Sequence, residues 1–306
     1  AMADICQAAT SAALGGSVGG GATGGTWSSS AGGTFDPSAT NLNATWSPPS
    51  GYFGTATLTL TTSGGSCGTT TASKTIVVNP SPTANAGAAM AAICQGSTSA
   101  PLNGSVGGSA TGGTWSTVSG GTFNPNANTL TATWTPPSGF SGTATLVLTT
   151  TGGPCGTANA SKTIQVNPSP TANAGGAVAA ICQGGTSVAL GGCFGGGATS
   201  AIWSDGGAGG TFNNNTGSTP NTTTYTAAAN STSPVTLTLT TSGGGCGTAT
   251  ATKQITVNPN PTVNAGPAIP GICQGSTTIA LGGSFGGGAT GAVWSAPSGT
   301  FANNGG

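Results

Sequence analysis

A pattern of cysteine and aromatic residues recurs along this sequence and constrains its fold more than any other feature. The triplet Ile-Cys-Gln returns after 88, 88 and 91 residues, and a tryptophan follows each of its cysteines by 21 residues. These first cysteines and their tryptophans are Cys6 and Trp27, Cys94 and Trp115, Cys182 and Trp203, and Cys273 and Trp294. Self-similarity on this scale predicts a tandem array of similar domains.

The first three units continue with a second aromatic residue and a second cysteine at regular spacing, and we call this series of cysteines and aromatic residues the ladder. A second aromatic residue lies 19 residues after the tryptophan, or 22 in the third unit, and a second cysteine lies 21 residues farther on. The second aromatics are Trp46, Trp134 and Tyr225, and the second cysteines are Cys67, Cys155 and Cys246. We expect the aromatic residues of the ladder, from Trp27 to Trp294, to fill the cores, because glycine-rich domains of this size have few other large apolar side chains.

Proline-rich segments separate the units. The motif Asn-Pro-x-Pro-Thr-x-Asn-Ala-Gly follows each second cysteine, and its prolines favour extended backbone and remove hydrogen-bond donors. We therefore expect linkers at these motifs. The predicted domains are three repeats and part of a fourth, at residues 1–80, 81–168, 169–259 and 260–306. Because the sequence stops inside the fourth repeat, we expect the polypeptide to continue.

Short alternating segments predict that each repeat is built from β-strands. Residues 57–61 alternate threonine with leucine, which places leucine on one face, and similar patterns return at 145–149 and 236–240. A last strand follows each second cysteine, so the two strands should form a hairpin with a glycine-rich turn. Clusters of glycine, serine and asparagine separate further short apolar segments. The predicted fold class is all-β, with tandem immunoglobulin-like β-sandwich repeats.

Eight cysteines at regular spacing in a chain of zero net charge indicate an oxidised framework. We expect one disulfide within each repeat, pairing Cys6 with Cys67, Cys94 with Cys155 and Cys182 with Cys246. Each would close a loop of about 60 residues and contribute roughly 4 kcal/mol. Cys273 should pair beyond residue 306. Cys193 is an additional cysteine, for which a buried neutral thiol is the preferred interpretation and an intermolecular link the alternative.

Ionisable side chains are nearly absent, which excludes most enzymes and nucleic-acid-binding proteins. The chain contains three lysines, three aspartates and no arginine, glutamate or histidine. Without histidine or another base, the many serines and threonines cannot form a nucleophilic triad, so we expect no catalytic residues. The cysteine spacing and the scattered aspartates argue against zinc and calcium, so we expect no metal and no cofactor. Three lysines cannot form a basic surface for nucleic acid, and no apolar run is long enough for a membrane span.

The linker motif Asn-Pro-x-Pro-Thr-x-Asn-Ala-Gly and three further motifs carry a resemblance to a known family. Ile-Cys-Gln-Gly-Ser-Thr at 93–98, Gly-Gly-x-Trp-Ser at 112–116 and Thr-Leu-Thr-Thr-x-Gly-Gly-x-Cys-Gly at 59–68 are similar to tandem PKD-like or immunoglobulin-like repeats of very large Bacteroidota surface proteins. In that family such arrays form the stalks of gliding-motility and adhesion proteins exported by the type IX system. The resemblance implies an extracellular location at the cell surface.

The sequence thus favours a structural role, as a stiff stalk that assembles with copies of itself into an extracellular fibre or filament. Near-zero charge removes repulsion between neighbouring chains, and sheet edges without charged residues invite lateral pairing. Two alternatives stay open at this point. One is an adhesin that binds surface polysaccharide through its tryptophans, and the other is the non-catalytic stalk of a larger secreted enzyme.

Overall fold

The computed structural model describes residues 2–304 and contains strands, turns and loops. It divides into two units, Ala1–Asn167 and Pro168–Gly306. The expected outer domain limits at residues 1 and 306 lie outside the described residues. Within residues 2–304, no helix is long and apolar enough to cross a membrane.

The first repeat consists of a four-stranded sheet and a smaller layer that faces it. Its strands are β1 Ile5–Cys6, β2 Gly24–Ser29, β3 Thr34–Asp36, β4 Thr45–Ser47, β5 Gly54–Ser63 and β6 Thr71–Asn79. The larger sheet has the order β1-β6-β5-β2, in which β1 is parallel to β6 and the other neighbours are antiparallel. The smaller layer is the antiparallel pair β3–β4, extended by backbone hydrogen bonds from residues 11–16 to residues 42–46.

The second repeat has the same arrangement, with one additional strand pair. Its strands are β7 Thr83–Asn85, β8 Ile93–Cys94, β9 Ser105–Gly107, β10 Gly112–Ser116, β11 Thr122–Asn124, β12 Thr133–Thr135, β13 Gly142–Thr151 and β14 Asn159–Asn167. The larger sheet has the order β10-β13-β14-β8, and β11 pairs with β12. The additional pair, β7–β9, comes partly from the predicted linker, so that this segment forms part of the second repeat rather than a free spacer.

The second unit contains the third repeat and the beginning of a fourth. Its strands are β15 Thr171–Asn173, β16 Ile181–Cys182, β17 Cys193–Gly195, β18 Ser200–Ser204, β19 Thr211–Asn213, β20 Thr224–Thr226, β21 Val235–Ser242, β22 Thr250–Ile255, β23 Val257–Asn258, β24 Thr262–Asn264 and β25 Ser284–Gly286. Strands β18, β21 and β22 form one sheet, and β16 pairs in parallel with β23, as β1 does with β6. The pairs β15–β17 and β24–β25 match β7–β9.

The long hairpin of each repeat confirms the strand prediction from alternating leucine and threonine. Strands β5 and β6 are antiparallel, and so are β13 and β14 and also β21 and β22. Leu58 and Leu60 are buried on one face of β5, while Thr57 and Thr59 on the other face stay partly accessible. Burial of one face and hydration of the other is the reason for the two-residue period.

Each of the first three repeats has its own hydrophobic core. Their buried residues lie between Leu14 and Val78, between Ala86 and Val166, and between Ala174 and Val257. In each core the larger sheet contributes aliphatic side chains and one tryptophan, and the smaller layer contributes a second aromatic residue. The lysines lie against the tryptophans of these cores.

Candidate functional site

The junction between the first two repeats is covalently closed by a disulfide between Cys6 and Cys155. Their Cα atoms are 5.4 Å apart. Cys6 lies in β1 opposite Asn79, the last residue of β6, and Cys155 lies in the turn between β13 and β14. The sulfur of Cys155 is also 3.8 Å from the carbonyl oxygen of Asn79. The first cysteine of one repeat is therefore bonded to the second cysteine of the next.

The predicted pairing within each repeat is wrong. Cys155 is bonded to Cys6 and not to Cys94, and both Cys67 and Cys182 are free thiols at the surface. The reason is the length of the last strand. Cys67 precedes β6 and Cys6 lies beside its far end, so nine residues at about 3.3 Å each separate the two, whereas a disulfide requires Cα atoms about 4.4–6.8 Å apart.

The remaining cysteines fall into two groups. Cys94 and Cys246 are also disulfide-bonded. Among the described residues, Cys193 and Cys273 are exposed free thiols like Cys67 and Cys182. The preferred expectation that Cys193 is buried is wrong, because the residue begins strand β17, where it pairs with Asn173 at the surface of its repeat.

Six of the seven aromatic residues of the ladder lie in the cores. The larger sheet contributes Trp27, Trp115 and Trp203, which are between 1% and 4% exposed, and the smaller layer contributes Trp46, Trp134 and Tyr225, which are 0% exposed. Each buried indole donates its Nε1 hydrogen to a carbonyl oxygen, as Trp115 does to Leu130 at 3.2 Å and Trp134 to Gly120 at 3.0 Å. Trp294 is half-buried in a cleft that Val263 and Phe285 also line.

Tyr225 replaces tryptophan in the third repeat and finds a different partner. Its hydroxyl donates to Oδ2 of Asp205 at 3.4 Å. The same carboxylate accepts backbone N–H hydrogen bonds from Gly207 at 3.1 Å and Gly210 at 2.8 Å. Burial raises the pKa of Tyr225 above its ordinary value of 10.0, and the negative charge of Asp205 raises that pKa further.

Each core also contains one lysine, a feature that the sequence analysis missed. Lys162, in β14, is only 8% exposed, donates to the carbonyl oxygen of Leu102 and lies 5.8 Å from the ring centroid of Trp115. Lys74 and Lys253 have the equivalent positions, over Trp27 and Trp203. Burial lowers the pKa of Lys162 and that of Lys253 below the ordinary lysine value of 10.5.

A signal for this lysine exists in the sequence. Lys74 and Lys162 each stand 47 residues after the tryptophan that they cover, so they recur in step with the ladder. A recurrent lysine in an otherwise almost uncharged chain indicates a structural position rather than a solvated surface charge. Lys253 follows Trp203 by 50 residues, which reflects the three-residue insertion in that repeat.

A buried serine connects the two sides of the smaller layer in every complete repeat. The hydroxyl of Ser99, 5% exposed, donates to the carbonyl oxygen of Ala100 at 2.8 Å and accepts the backbone N–H of Trp134 at 2.9 Å. Ser11 and Ser187 make the same pair of bonds with their own neighbours. These serines satisfy a backbone donor that would otherwise be buried without a partner.

The described residues bring together no metal-binding cluster. Within residues 2–304, no group of three or more histidine, cysteine, aspartate or glutamate side chains could hold a metal ion. Asp205 is engaged in the hydrogen bonds described above. What the arrangement does chemically is to cross-link successive repeats, and its cores use cation–π contacts and buried hydrogen bonds to hold their shape.

Comparisons with known proteins identify the fold class. No family model matches the sequence, and no curated protein matches it either. A mutated variant of three titin immunoglobulin domains is similar in structure, with a TM-score of 0.51 and 15% identity over 84% of this chain and 95% of that chain. A titin I-band fragment gives a TM-score of 0.51 at 14% identity over the same shares, and a mouse cadherin-23 fragment gives 0.44 at 12% over 84% of this chain and 94% of that chain.

The molecule is therefore an all-β protein of tandem immunoglobulin-like domains, as the alternating strands predicted. At these identities the likeness concerns the fold alone.

Proposed function

We propose that this chain is a structural component of an extracellular fibre or filament, a stiff stalk of repeats at a bacterial cell surface. The observation that carries the proposal is the Cys6–Cys155 disulfide, which cross-links one repeat to the next. A bond in this position resists bending at the junction and prevents the chain between the two cysteines from extending under load. Both effects suit a load-bearing stalk better than a binding or catalytic domain.

The extracellular location is supported by the same bonds. Structural disulfides persist in oxidising compartments and are rare in the cytosol. The resemblance to surface proteins of Bacteroidota agrees with this location and adds export by the type IX system. The complete reading frame tests this part of the proposal, since it should contain a signal peptide and a C-terminal sorting domain.

Self-association is supported by the edges of the larger sheets. Strand β2 ends the order β1-β6-β5-β2, and its sequence, Gly-Gly-Thr-Trp-Ser-Ser, carries no charge. Exposed sheet edges are usually protected by lysine or proline, and β2 contains neither, while the backbone N–H of Trp27 on this edge already donates to the carbonyl oxygen of Ala39 at 2.8 Å. Copies of this chain are the proposed partners, with lateral contacts along these edges.

Polysaccharide binding through the tryptophans is the less supported alternative. Stacking on a sugar requires an exposed aromatic face, whereas Trp46, Trp115 and Trp134 are at most 1% exposed. Quenching of tryptophan fluorescence by a soluble quencher distinguishes the two roles, because buried indoles are shielded from it. We propose no catalytic role for this chain, whether or not a larger protein carries an enzyme elsewhere.

Electron microscopy of the purified, oxidised protein tests the proposal directly. We expect fibres or filaments under native conditions, and protein treated with a reducing agent serves as the matched control for the disulfides. Dispersed single particles at all concentrations, in oxidised and reduced samples alike, would contradict the filament role.

A further inference from the structure

The Cys6–Cys155 bridge has a direction along the chain. In the first repeat the bonded residue is Cys6, which lies opposite Asn79 at the end of the last strand. In the second repeat it is Cys155, which lies in the turn of the long hairpin. Each repeat therefore has one half-bridge of each type. The cysteine beside the strand end joins to the following repeat, and the cysteine in the turn joins to the preceding one.

Cys182 has the local geometry of Cys6. It pairs with Asn258 as Cys6 pairs with Asn79, and both strand pairs are parallel. The next residue, Gln183, donates its backbone N–H to the carbonyl oxygen of Asn258 at 2.9 Å, as Gln7 does to Asn79 at 2.8 Å. The thiol of Cys182 is free and exposed in this arrangement.

Cys67 has the same place in its hairpin as Cys155. The long hairpins of the first two repeats have the same register, since their last paired residues before the turn are Thr61 with Thr71 in one and Thr149 with Asn159 in the other. Each second cysteine lies 12 residues before the asparagine that ends the hairpin. Cys67, too, is an exposed free thiol.

We propose that Cys67 and Cys182 each form a disulfide of the same inter-repeat type as Cys6–Cys155. Cys67 bonds to a repeat that precedes its own, and Cys182 bonds to a repeat that follows its own. The inference rests on the proposed stalk function and specifies how repeats are connected along it. The partner of Cys67 is a cysteine beside the end of a last strand, supplied by a second copy of this chain or by a preceding repeat of the same polypeptide.

The bond forms by thiol–disulfide exchange with a low-molecular-weight disulfide such as oxidised glutathione. The Cys67 thiolate attacks one glutathione sulfur and releases one glutathione thiolate, which takes up a proton. The partner cysteine thiolate then attacks the Cys67 sulfur and releases the second glutathione. Two protein thiols become one disulfide, and one glutathione disulfide becomes two glutathione thiols.

The test uses the full 306-residue chain, prepared once with natural nitrogen and once with ¹⁵N, mixed and oxidised with glutathione disulfide. After free thiols are alkylated in denaturant, non-reducing proteolysis and mass spectrometry identify the bonded cysteines. We expect Cys67 joined to Cys182 in peptides of mixed label, which places the bond between copies. The same mapping on the native full-length polypeptide distinguishes the other source, in which Cys67 is joined to a cysteine outside these 306 residues.

Two variants make the result specific. Cys67→Ser should abolish covalent multimers on a non-reducing gel, whereas Cys193→Ser, which removes another exposed free thiol outside the bridge positions, should leave them unchanged. The inference would be overturned if Cys67 were completely alkylated, and therefore unbonded, in oxidised samples of both the 306-residue chain and the native full-length polypeptide. A peptide in which Cys6 is joined to Cys67 would also overturn it. Filaments that persist in electron micrographs without these bonds would overturn it while leaving the proposed function intact.

Discussion

The ammonium group of Lys162 lies 5.8 Å from the ring centroid of Trp115 and donates a hydrogen bond to the backbone of Leu102, inside a core. A nearly buried lysine without a carboxylate partner carries a desolvation cost, and this cost lowers its pKa. The carbonyl oxygen and the indole face compensate part of that cost. Lys74 over Trp27 and Lys253 over Trp203 have the same arrangement, so the lysine is a structural residue of the first three repeats.

Replacement of Lys162 should destabilise the second repeat. In Lys162→Met the aliphatic stem is retained but the carbonyl oxygen of Leu102 loses its donor, for which we expect a loss of about 1–3 kcal/mol in the free energy of unfolding. Chemical denaturation followed by tryptophan fluorescence measures it. Thr163→Val, a change on the opposite, exposed face of the same strand, is the control and should leave the midpoint nearly unchanged.

The lysine also gives the protein a pH dependence of known sign. Because the pKa of Lys162 is lower in the folded state than the ordinary value of 10.5, the unfolded state binds more protons between those two values, and stability rises with pH there. The difference in unfolding free energy between wild type and Lys162→Met should therefore grow as the pH rises from neutral toward 10.5. A difference that stays constant or shrinks would contradict the assignment.

Tyr225 should have the opposite effect at high pH. Its folded pKa is raised above 10.0 by burial and by Asp205, so its contribution to stability is fully present below pH 10.0 and is lost as the pH rises through the folded value. We expect Tyr225→Phe to remove this alkaline loss. Tyr52→Phe is the matched control and should retain it. Denaturation midpoints of the three proteins on either side of pH 10.0 provide the measurement.

The inter-repeat disulfide should be visible as a change in length under force. Cys6 and Cys155 are 149 residues apart in sequence, so the bond excludes about 500 Å of chain from extension, at roughly 3.4 Å per residue. Single-molecule pulling before and after reduction measures this length in a Cys94→Ser/Cys246→Ser variant, which removes the two other disulfide-bonded cysteines. The chain-entropy model also predicts a loss of up to about 5 kcal/mol in stability on reduction. An unchanged contour length would show that the bond is absent.

The buried serine offers a sharp test of the hydrogen-bond network. Ser99→Ala leaves the backbone N–H of Trp134 buried without an acceptor, for which we expect a loss of about 1–3 kcal/mol. Ser97→Ala changes an exposed serine two residues away and should shift stability by less than about 0.5 kcal/mol. Equal effects of the two substitutions in thermal or chemical denaturation would contradict the role of Ser99.

The sequence predicted the features that depend on local periodicity. Alternation at residues 57–61 identified the long hairpin, and the spacing of Trp46 and Trp134 identified aromatic residues that the structure places in the cores. The disulfide pairing was not predictable in this way. Spacing shows which cysteines recur, but the pairing depends on where the short parallel strand β1 lies relative to β6, and that contact is not local.

The lysines were missed for a related reason. A lysine in an alternating segment is normally assigned to the solvated face. The residues next to Lys162 in sequence do not show that it contacts a backbone carbonyl oxygen and the face of an indole ring. Cys193 was misassigned because the serines at equivalent positions of the other repeats do not show whether the position is accessible. In both cases the decisive contacts join residues that are far apart in the sequence.

The internal position of the lysines has a consequence for the fate of the protein outside a cell. A protease of trypsin specificity cuts only after lysine or arginine and must draw several residues of extended chain into its cleft. This sequence has three such residues and no arginine, two of the three are less than a tenth exposed, and all lie within paired strands. While its domains stay folded, the protein therefore presents such enzymes with no accessible cleavage site in the described part of the chain.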